Sequence, residues 1–454
     1  MAKNSRDIKI KEVRIGFEDY SYRSPMKFGG KVCTAVTLLN VEVRVKGRSG
    51  KETLGKGSMA MGNIWSFPSD TLTYEDTLGA MKALAEKVRP IVESWPDFGH
   101  PVELMTGMEE RFLTAAEEVT AERKLPQPIP KLCTLVVASP FDAAVHDAYG
   151  KLHGLNVYNA YGKEFMNKDL SAYLTKEFKG EYLDKYTLRE PKARMPLYHL
   201  VGALDPITDA DVKTRINDGL PNTLPEWIVK DGLTHLKIKL NGNDLAWDVN
   251  RVLTIDKVTA ETQNKRGLKE WFYSADFNEK CPNVGYLIDF MKKIKEASGQ
   301  CFDRIQYIEQ PTSRYLKQHM DNKMHEAAKL KPVVIDEALV DFEHLRLSME
   351  LGYSGVALKT CKGQSQALLM GAAAIKYGLF LCVQDLTLVG ASFLHSAGLC
   401  ARVPQVAAIE GNGRQYCPAA NKGWENKWPS IFKVKDGTLG TGVLTLTGLG
   451  HFQD

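Results

Sequence analysis

The sequence predicts an α/β protein. A (β/α)8-type (TIM-like) barrel is expected over residues 195–420, with an α+β N-terminal capping domain over 1–190 completed by a C-terminal tail, 421–454. Three observations carry this. From Met195 onward, eight short apolar runs alternate with amphipathic helical patterns, the repeat of a parallel barrel. Charged side chains close those runs at nearly constant spacing. Strict apolar–polar alternation precedes them and a hairpin signal follows them, and neither belongs in a parallel barrel.

Composition sets outer bounds. At 454 residues the chain is long enough for a barrel with additions. Its 44% apolar and 25% charged residues are ordinary for a soluble globular protein. A net charge of +4 offers no concentrated basic patch, so neither nucleic acid nor a membrane is expected as a partner. Eight scattered cysteines without a C-x-x-C pair suit buried thiols in a reducing, cytoplasmic setting. Met1–Lys11 is polar, and no run approaches about 18 apolar residues, so no signal peptide and no spanning helix are expected.

In chain order, Val41, Val43 and Val45 alternate with Glu42, Arg44 and Lys46, a half-buried strand. Gly47, Gly50, Gly55 and Gly57 read as turns after it. Tyr20–Gly30, rich in turn formers and aromatics, reads as a mobile flap able to close over a site. Tyr74–Ala121 is largely helical, interrupted at Pro90. Ser139-Pro140 reads as the N-cap and first position of a helix ending near Gly150 or Gly154. Its Asp142, His146 and Asp147 are not expected to form a metal cluster, and Asp147 and His146 are expected to make local hydrogen bonds instead. The charge-dense stretch 163–193 reads as an insertion or linker, and 241–270 as an enlarged connection of unassigned role.

The barrel strands are expected at Met195–Val201, His235–Lys239, Trp271–Asp276, Arg304–Glu309, Pro332–Asp336, Gly355–Lys359, Leu379–Asp385 and Val406–Glu410. Leu287, Phe290, Met291 and Ile294 form one helix face between them, and Leu368, Leu369, Ala372 and Ile375 another. In the tail, Ile431–Leu439 places two alternating runs about Asp436-Gly437, a hairpin expected to join the N-terminal sheet.

Barrel enzymes carry their chemistry at the C-terminal strand ends. Here those ends hold Lys237 and Lys239, Asp276, Glu309, Asp336, Lys359, Asp385 and Glu410. From Asp276 on, the spacings are 33, 27, 23, 26 and 25 residues, about one βα unit each. Asp276, Glu309 and Asp336 would form an all-oxygen site suited to Mg2+ better than Zn2+. Of the adjacent Asp336 and Glu337, only one is expected to face inward, and the choice falls on Asp336. Lys239 and Lys359 would flank the ion from opposite sides, one taking the proton α to a carboxylate and the other acting as the acid. Lys237 would help stabilise the enediolate as its charge develops. Arg23, Lys27 and Lys362 favour an acidic or polyhydroxylated substrate.

Taken together, Lys237-x-Lys239, Asp276-x-Asn278, Ile308-Glu-Gln-Pro311, Asp336-Glu337 and Lys359 resemble the enolase superfamily, in its muconate-lactonizing and mandelate-racemase-like branch. A Lys or His base working with Mg2+ is already the known pattern for such sites. Tyr22-Arg23-Ser-Pro25 resembles the N-terminal specificity loop of that family, and Phe141–Gly162 the helix closing its capping domain. The resemblance implies Asp276, Glu309 and Asp336 as ligands of one Mg2+ per subunit, with Lys239 and Lys359 as the acid/base pair and Lys237 as an electrostatic helper. It places Asn278 near the metal, lays Tyr22, Arg23 and Lys27 over a small-molecule carboxylate substrate, and implies a homo-oligomer. Asp385 stands where a mandelate-racemase-type site has histidine, so the lysine pair is the better dyad. Lys362, Asp385 and Glu410 are candidate substrate contacts, whereas His395 reads as a core histidine. The expected reaction is dehydration of a sugar acid. Racemization or epimerization of a carboxylic acid or amino-acid derivative is the alternative, and a catalytically silent binding barrel the rival outside enzymology.

Overall fold

The computed structural model of the chain describes residues 4–28 and 30–452. Its N-terminal sheet is an antiparallel meander of β1 (Ile8–Phe28), β2 (Lys31–Gly47) and β3 (Glu52–Ala60). Residues 20–28 are therefore strand rather than flap. After a register shift beyond Ser21, Met26 pairs with Cys33, so β1 and β2 stay hydrogen-bonded toward their tip. Gly29 lies outside the described residues.

Three helices follow: α1 (Tyr74–Glu93), α2 (Pro101–Glu122) and α3 (Lys131–His153), of which α1 and α3 pack on this sheet and α2 packs on both of them. Pro90 sits in the last turn of α1 and does not divide it. Nor does Ser139-Pro140 start a helix, because α3 already begins at Lys131. Pro140 has no N–H to give to Val136, and the Ser139 hydroxyl donates to that carbonyl instead at 2.8 Å. Gly154, at φ 67°, ends the helix in the left-handed conformation. Gly55 and Gly57 are not turn residues. They lie in β3, where a Cβ would strike the Ala144 and Pro140 carbonyl oxygens, so they let helix and sheet approach.

The eight expected barrel strands all form: β4 (Met195–Val201), β5 (His235–Lys239), β6 (Phe272–Asp276), β7 (Ile305–Glu309), β8 (Val333–Ile335), β9 (Gly355–Leu358), β10 (Phe380–Val383) and β11 (Val406–Glu410). Each pairs parallel with the next, and β11 closes on β4 through Ile409–Leu197 and Glu410–Tyr198. Residues 245–265 are a helix, so the long connection after β5 is an ordinary crossover. Residues 163–193 are not a solvated linker. They fold into short 3-10 turns that bury Leu170, Phe178, Leu183 and Tyr186, apolar anchors set among the charges.

The tail departs from expectation in its pairing. Asp436 and Gly437 both take positive φ in a turn, but β12 (Thr438–Leu439) pairs antiparallel with Met195 and Pro196 at the foot of β4. Contact with the capping domain comes later, where Leu449 N–H donates to Asp147 Oδ1 at 2.9 Å and Val157 N–H to the Gly448 carbonyl at 2.8 Å. Among the described residues no helix is long and apolar enough to cross a membrane.

Candidate active site

A layer of interior side chains sets which residues face the barrel axis. Tyr198, Tyr307, Val334, Ala357, Cys382 and Ala408 form one buried cluster. Two residues on, strand alternation brings Glu309, Asp336, Lys359, Gln384 and Glu410 to the same face. On β5 and β6 the same alternation selects Lys237, Lys239, Ser274 and Asp276. Asp385, expected as the inward polar end of its strand, is not that residue. The inward side chain is Gln384, whose Oε1 accepts from Lys237 Nζ.

At the C-terminal mouth Lys237 Nζ donates to Glu309 Oε1 at 2.8 Å and Glu410 Oε2 at 2.9 Å, and lies 3.1 Å from Asp276 Oδ2. Lys239 pairs with Asp276. On the opposite side Lys359 Nζ stands 2.9 Å from Asp336 Oδ2 and donates to the Asp385 carbonyl at 3.1 Å. Lys362 Nζ approaches Asp336 Oδ1 at 3.3 Å and also donates to its backbone carbonyl. Asp276 Oδ1 accepts the Asn278 N–H at 2.8 Å.

These charges are buried together. Asp276, Glu309, Asp336, Glu337, Asp385 and Glu410 lie around the mouth with Lys237, Lys239, Lys359 and Lys362, and none of the ten is more than 5% exposed. Six carboxyl groups thus stand against four ammonium groups, two more acids than lysines. The excess falls on particular groups. Burial and the neighbouring Asp276 and Asp336 charges push the Glu309 carboxyl well up. Burial, with Asp336, raises Glu337 to about 8, and burial, with Glu410, raises Asp385 to about 7. Asp276 and Asp336 are held low against the cost of burial by the lysines beside them.

Among the described residues no three histidine, cysteine or acid side chains are already gathered closely enough to hold an ion, because lysine ammonium groups stand between the acids. The donor set nevertheless fits a hard divalent cation. Asp276, Glu309 and Asp336 stand at the C-terminal ends of successive strands, and Glu309 Oε2 is buried without a hydrogen-bond partner.

The outer residues divide. Lys27 lines a cavity of about 400 Å³ with Lys239, Lys280, Asn241, Asn243 and Asn278, and among the described residues no acidic side chain lines it. Arg23 points elsewhere. Its guanidinium pairs with Asp218 at 2.5 Å and donates to the Leu220 carbonyl, tying β1 to the loop after β4. Tyr22 packs on Tyr416 with ring centres 6.3 Å apart. The Asp385 carboxylate is taken up by backbone N–H groups of Leu386, Leu388 and Asn412. His395 is a buried core residue, bonded through Nε2 to Gln364.

Trp65 was invisible to sequence reasoning. From a one-turn helix, Asn63–Ser66, it lays its ring 4.3 Å from Lys359 Nζ, and its Nε1–H donates to Glu337 Oε1 at 2.9 Å. That bond turns Glu337 toward the capping domain and leaves Asp336 to the lysines. No local pattern marks such a contact between domains.

No protein-family model and no curated protein matches the sequence. Solved structures do match over nearly the whole chain. A dipeptide epimerase from Enterococcus faecalis superposes with a TM-score of 0.63 at 15% identity, covering 97% of this chain and 99% of that one. The L-Ala-D/L-Glu epimerase from Bacillus subtilis gives 0.61 at 15%, covering 97% and 98%. A muconate lactonizing enzyme from Pseudomonas fluorescens gives 0.59 at 17%, covering 98% and 97%. The chain thus has the fold of the mandelate-racemase and muconate-lactonizing-like members of the enolase superfamily.

Proposed function

We propose that the protein is a Mg2+-dependent lyase that removes the proton α to a carboxylate and dehydrates a sugar acid. The observation that carries this is the placement of Lys239 and Lys359 on opposite sides of the barrel mouth, each against one of the three strand-end acids. In support, the matched dipeptide epimerase was solved with Mg and a dipeptide. Asp276, Glu309 and Asp336 would hold the ion, which when bound supplies Lewis acidity toward a carboxylate.

The remaining work falls to the chain. A lysine amine on one face takes the α-proton as the Cα–H bond breaks. Lys237, held by Glu309 and Glu410, presents fixed positive charge where negative charge develops. The Cβ–O bond then breaks as the lysine on the other face delivers a proton, so water leaves and the enol product ketonises. Lys27, Lys280, Asn241, Asn243 and Asn278 around the cavity favour an anionic, hydroxyl-rich molecule over a dipeptide, whose ammonium group would meet no acid in that lining. The eight cysteines, all buried and free, support a reducing cytoplasm.

The facing lysines also support a second reading, in which the far lysine reprotonates Cα and the product is an epimer. One experiment separates the two. Sugar acids, simple α-hydroxy acids and dipeptides are incubated with protein and Mg2+ in D2O, and NMR follows α-deuteration, keto-acid formation and epimer formation. Keto acid from a sugar acid, lost in both Lys239→Ala and Lys359→Ala, is expected. Turnover surviving both substitutions would exclude the lysine assignment.

A further inference from the structure

Lys359 and Lys362 sit at the two ends of one tight turn, closed by Lys362 N–H to the Lys359 carbonyl at 3.1 Å. Gly363, at φ 107°, leads directly from that turn into the helix Gln364–Lys376, here α4. Nothing on α4 caps its own first turn. The missing acceptor comes from the capping domain. Asp142, in the middle of α3, takes the Ser365 N–H on Oδ2 and the Ser365 hydroxyl on Oδ1, both at 2.8 Å. A Cβ on Gly363 would lie 2.8 Å from Asp142 Oδ2, so only glycine leaves room for the carboxylate. His146, one turn further along α3, contacts the same groups: its Nε2 lies 2.9 Å from Ser365 Oγ and 3.2 Å from Asp142 Oδ1. Tyr161 OH holds the other ring nitrogen at 3.0 Å. Asp142, His146 and Ser365 are all at least nine-tenths buried.

We infer that Asp142 is a positioning residue for the lysine-bearing turn. It fixes the backbone from which Lys359 and Lys362 reach Asp336, while the Trp65 ring lies 4.3 and 5.7 Å from their ammonium groups. The capping domain therefore builds one wall of the site as well as covering it. A carboxylate suits this work because its two oxygens accept from a backbone and a hydroxyl donor at once, at a helix N-terminus that favours negative charge. The consequence for catalysis rests on the proposed proton abstraction. The positioning itself does not.

The test labels lysines in the full chain with acetic anhydride and reads each site by mass spectrometry, without substrate or metal. In wild type Lys359, Lys362 and Lys237 are all buried, so all three label slowly. In Asp142→Ala, Lys359 and Lys362 should label roughly tenfold faster, through local opening after loss of two buried hydrogen bonds, with Lys237 unchanged. Ser365→Ala, which keeps the backbone bond, should raise them less, and Asp142→Asn should restore part of the protection. Unchanged Lys359 and Lys362, or an equal rise at Lys237, would overturn the inference. Absence of α-deuteration or keto-acid formation in wild type would overturn the proposed reaction and leave the labelling result standing.

Discussion

The ammonium group of Lys359 lies over the face of Trp65, 4.3 Å from the ring centre, although the two residues belong to different domains. A desolvated cation–π contact of this kind contributes about 2 kcal/mol. Trp65→Leu also removes the N–H that Glu337 accepts, leaving a buried carboxyl without its donor. We expect keto-acid formation to fall on the order of tenfold or more, with far-UV circular dichroism unchanged. Trp65→Phe keeps a ring face but not the donor, and should fall between the two. Equal rates in all three proteins would show that the contact has no part in catalysis.

Metal addition should appear as stability before it appears as activity. An ion that binds only the folded state stabilises it by about 2.7 kcal/mol at a hundredfold excess over Kd. Thermal melts with and without Mg2+ should therefore separate by several degrees, and EDTA should restore the lower midpoint. Glu309→Gln should abolish the separation, because it removes the acid whose Oε2 has no other partner.

The proton on Asp385 gives the metal-free protein a pH signature. Its carboxyl is raised from 3.8 to about 7 in the fold, by burial and then by Glu410. The folded state thus holds a proton that the unfolded chain has already released. The contribution is intact below about pH 4 and is lost as pH rises toward 7, at roughly 1.4 kcal/mol per pH unit. Denaturant midpoints measured from pH 4 to pH 8 in EDTA should fall across that window. Asp385→Asn should flatten this component while destabilising the protein overall, since an amide cannot accept from all three backbone N–H groups.

The barrel and its acids were legible because both are periodic. Apolar runs at βα spacing locate the strands, and strand alternation carries Glu309, Asp336, Lys359 and Glu410 to one face. Carried through rigorously, that rule also chooses Asp336 over Glu337, since Val334 is interior, and Gln384 over Asp385, since Cys382 is interior. What stayed hidden depends on contacts between distant segments. Trp65 on Lys359 and Asp142 on Ser365 span the two domains, and no local pattern encodes them. The Tyr20–Phe28 stretch misled for another reason: its turn formers Ser24 and Pro25 lie in a break of register, and the strand resumes its pairing with β2 beyond them at Met26. Asp147 does bond locally, to Lys151 Nζ at 3.1 Å, but it also holds the Lys56 and Leu449 N–H groups from β3 and the tail, which no local pattern announces.

Arg23 joins the capping sheet to the barrel through Asp218, and that pair sets how firmly the loop after β4 is held. The Arg23 side chain is only 8% exposed and Asp218 35%, so the pair is better shielded than a surface salt bridge. Arg23 also holds the Asp218 carboxyl below its usual range, so acid should loosen the contact as that group protonates. Between Gly202 and Thr223 the loop has only one short 3-10 turn, and Lys213 and Arg215 are exposed along it. Limited trypsin digestion at neutral pH should cut there slowly in wild type and several-fold faster in Arg23→Met or Asp218→Asn. The double variant should be cut no faster than either single one, because each change already breaks the same contact. Additive acceleration would mean that the two residues hold the loop independently, and the link between cap and barrel would have to be sought elsewhere.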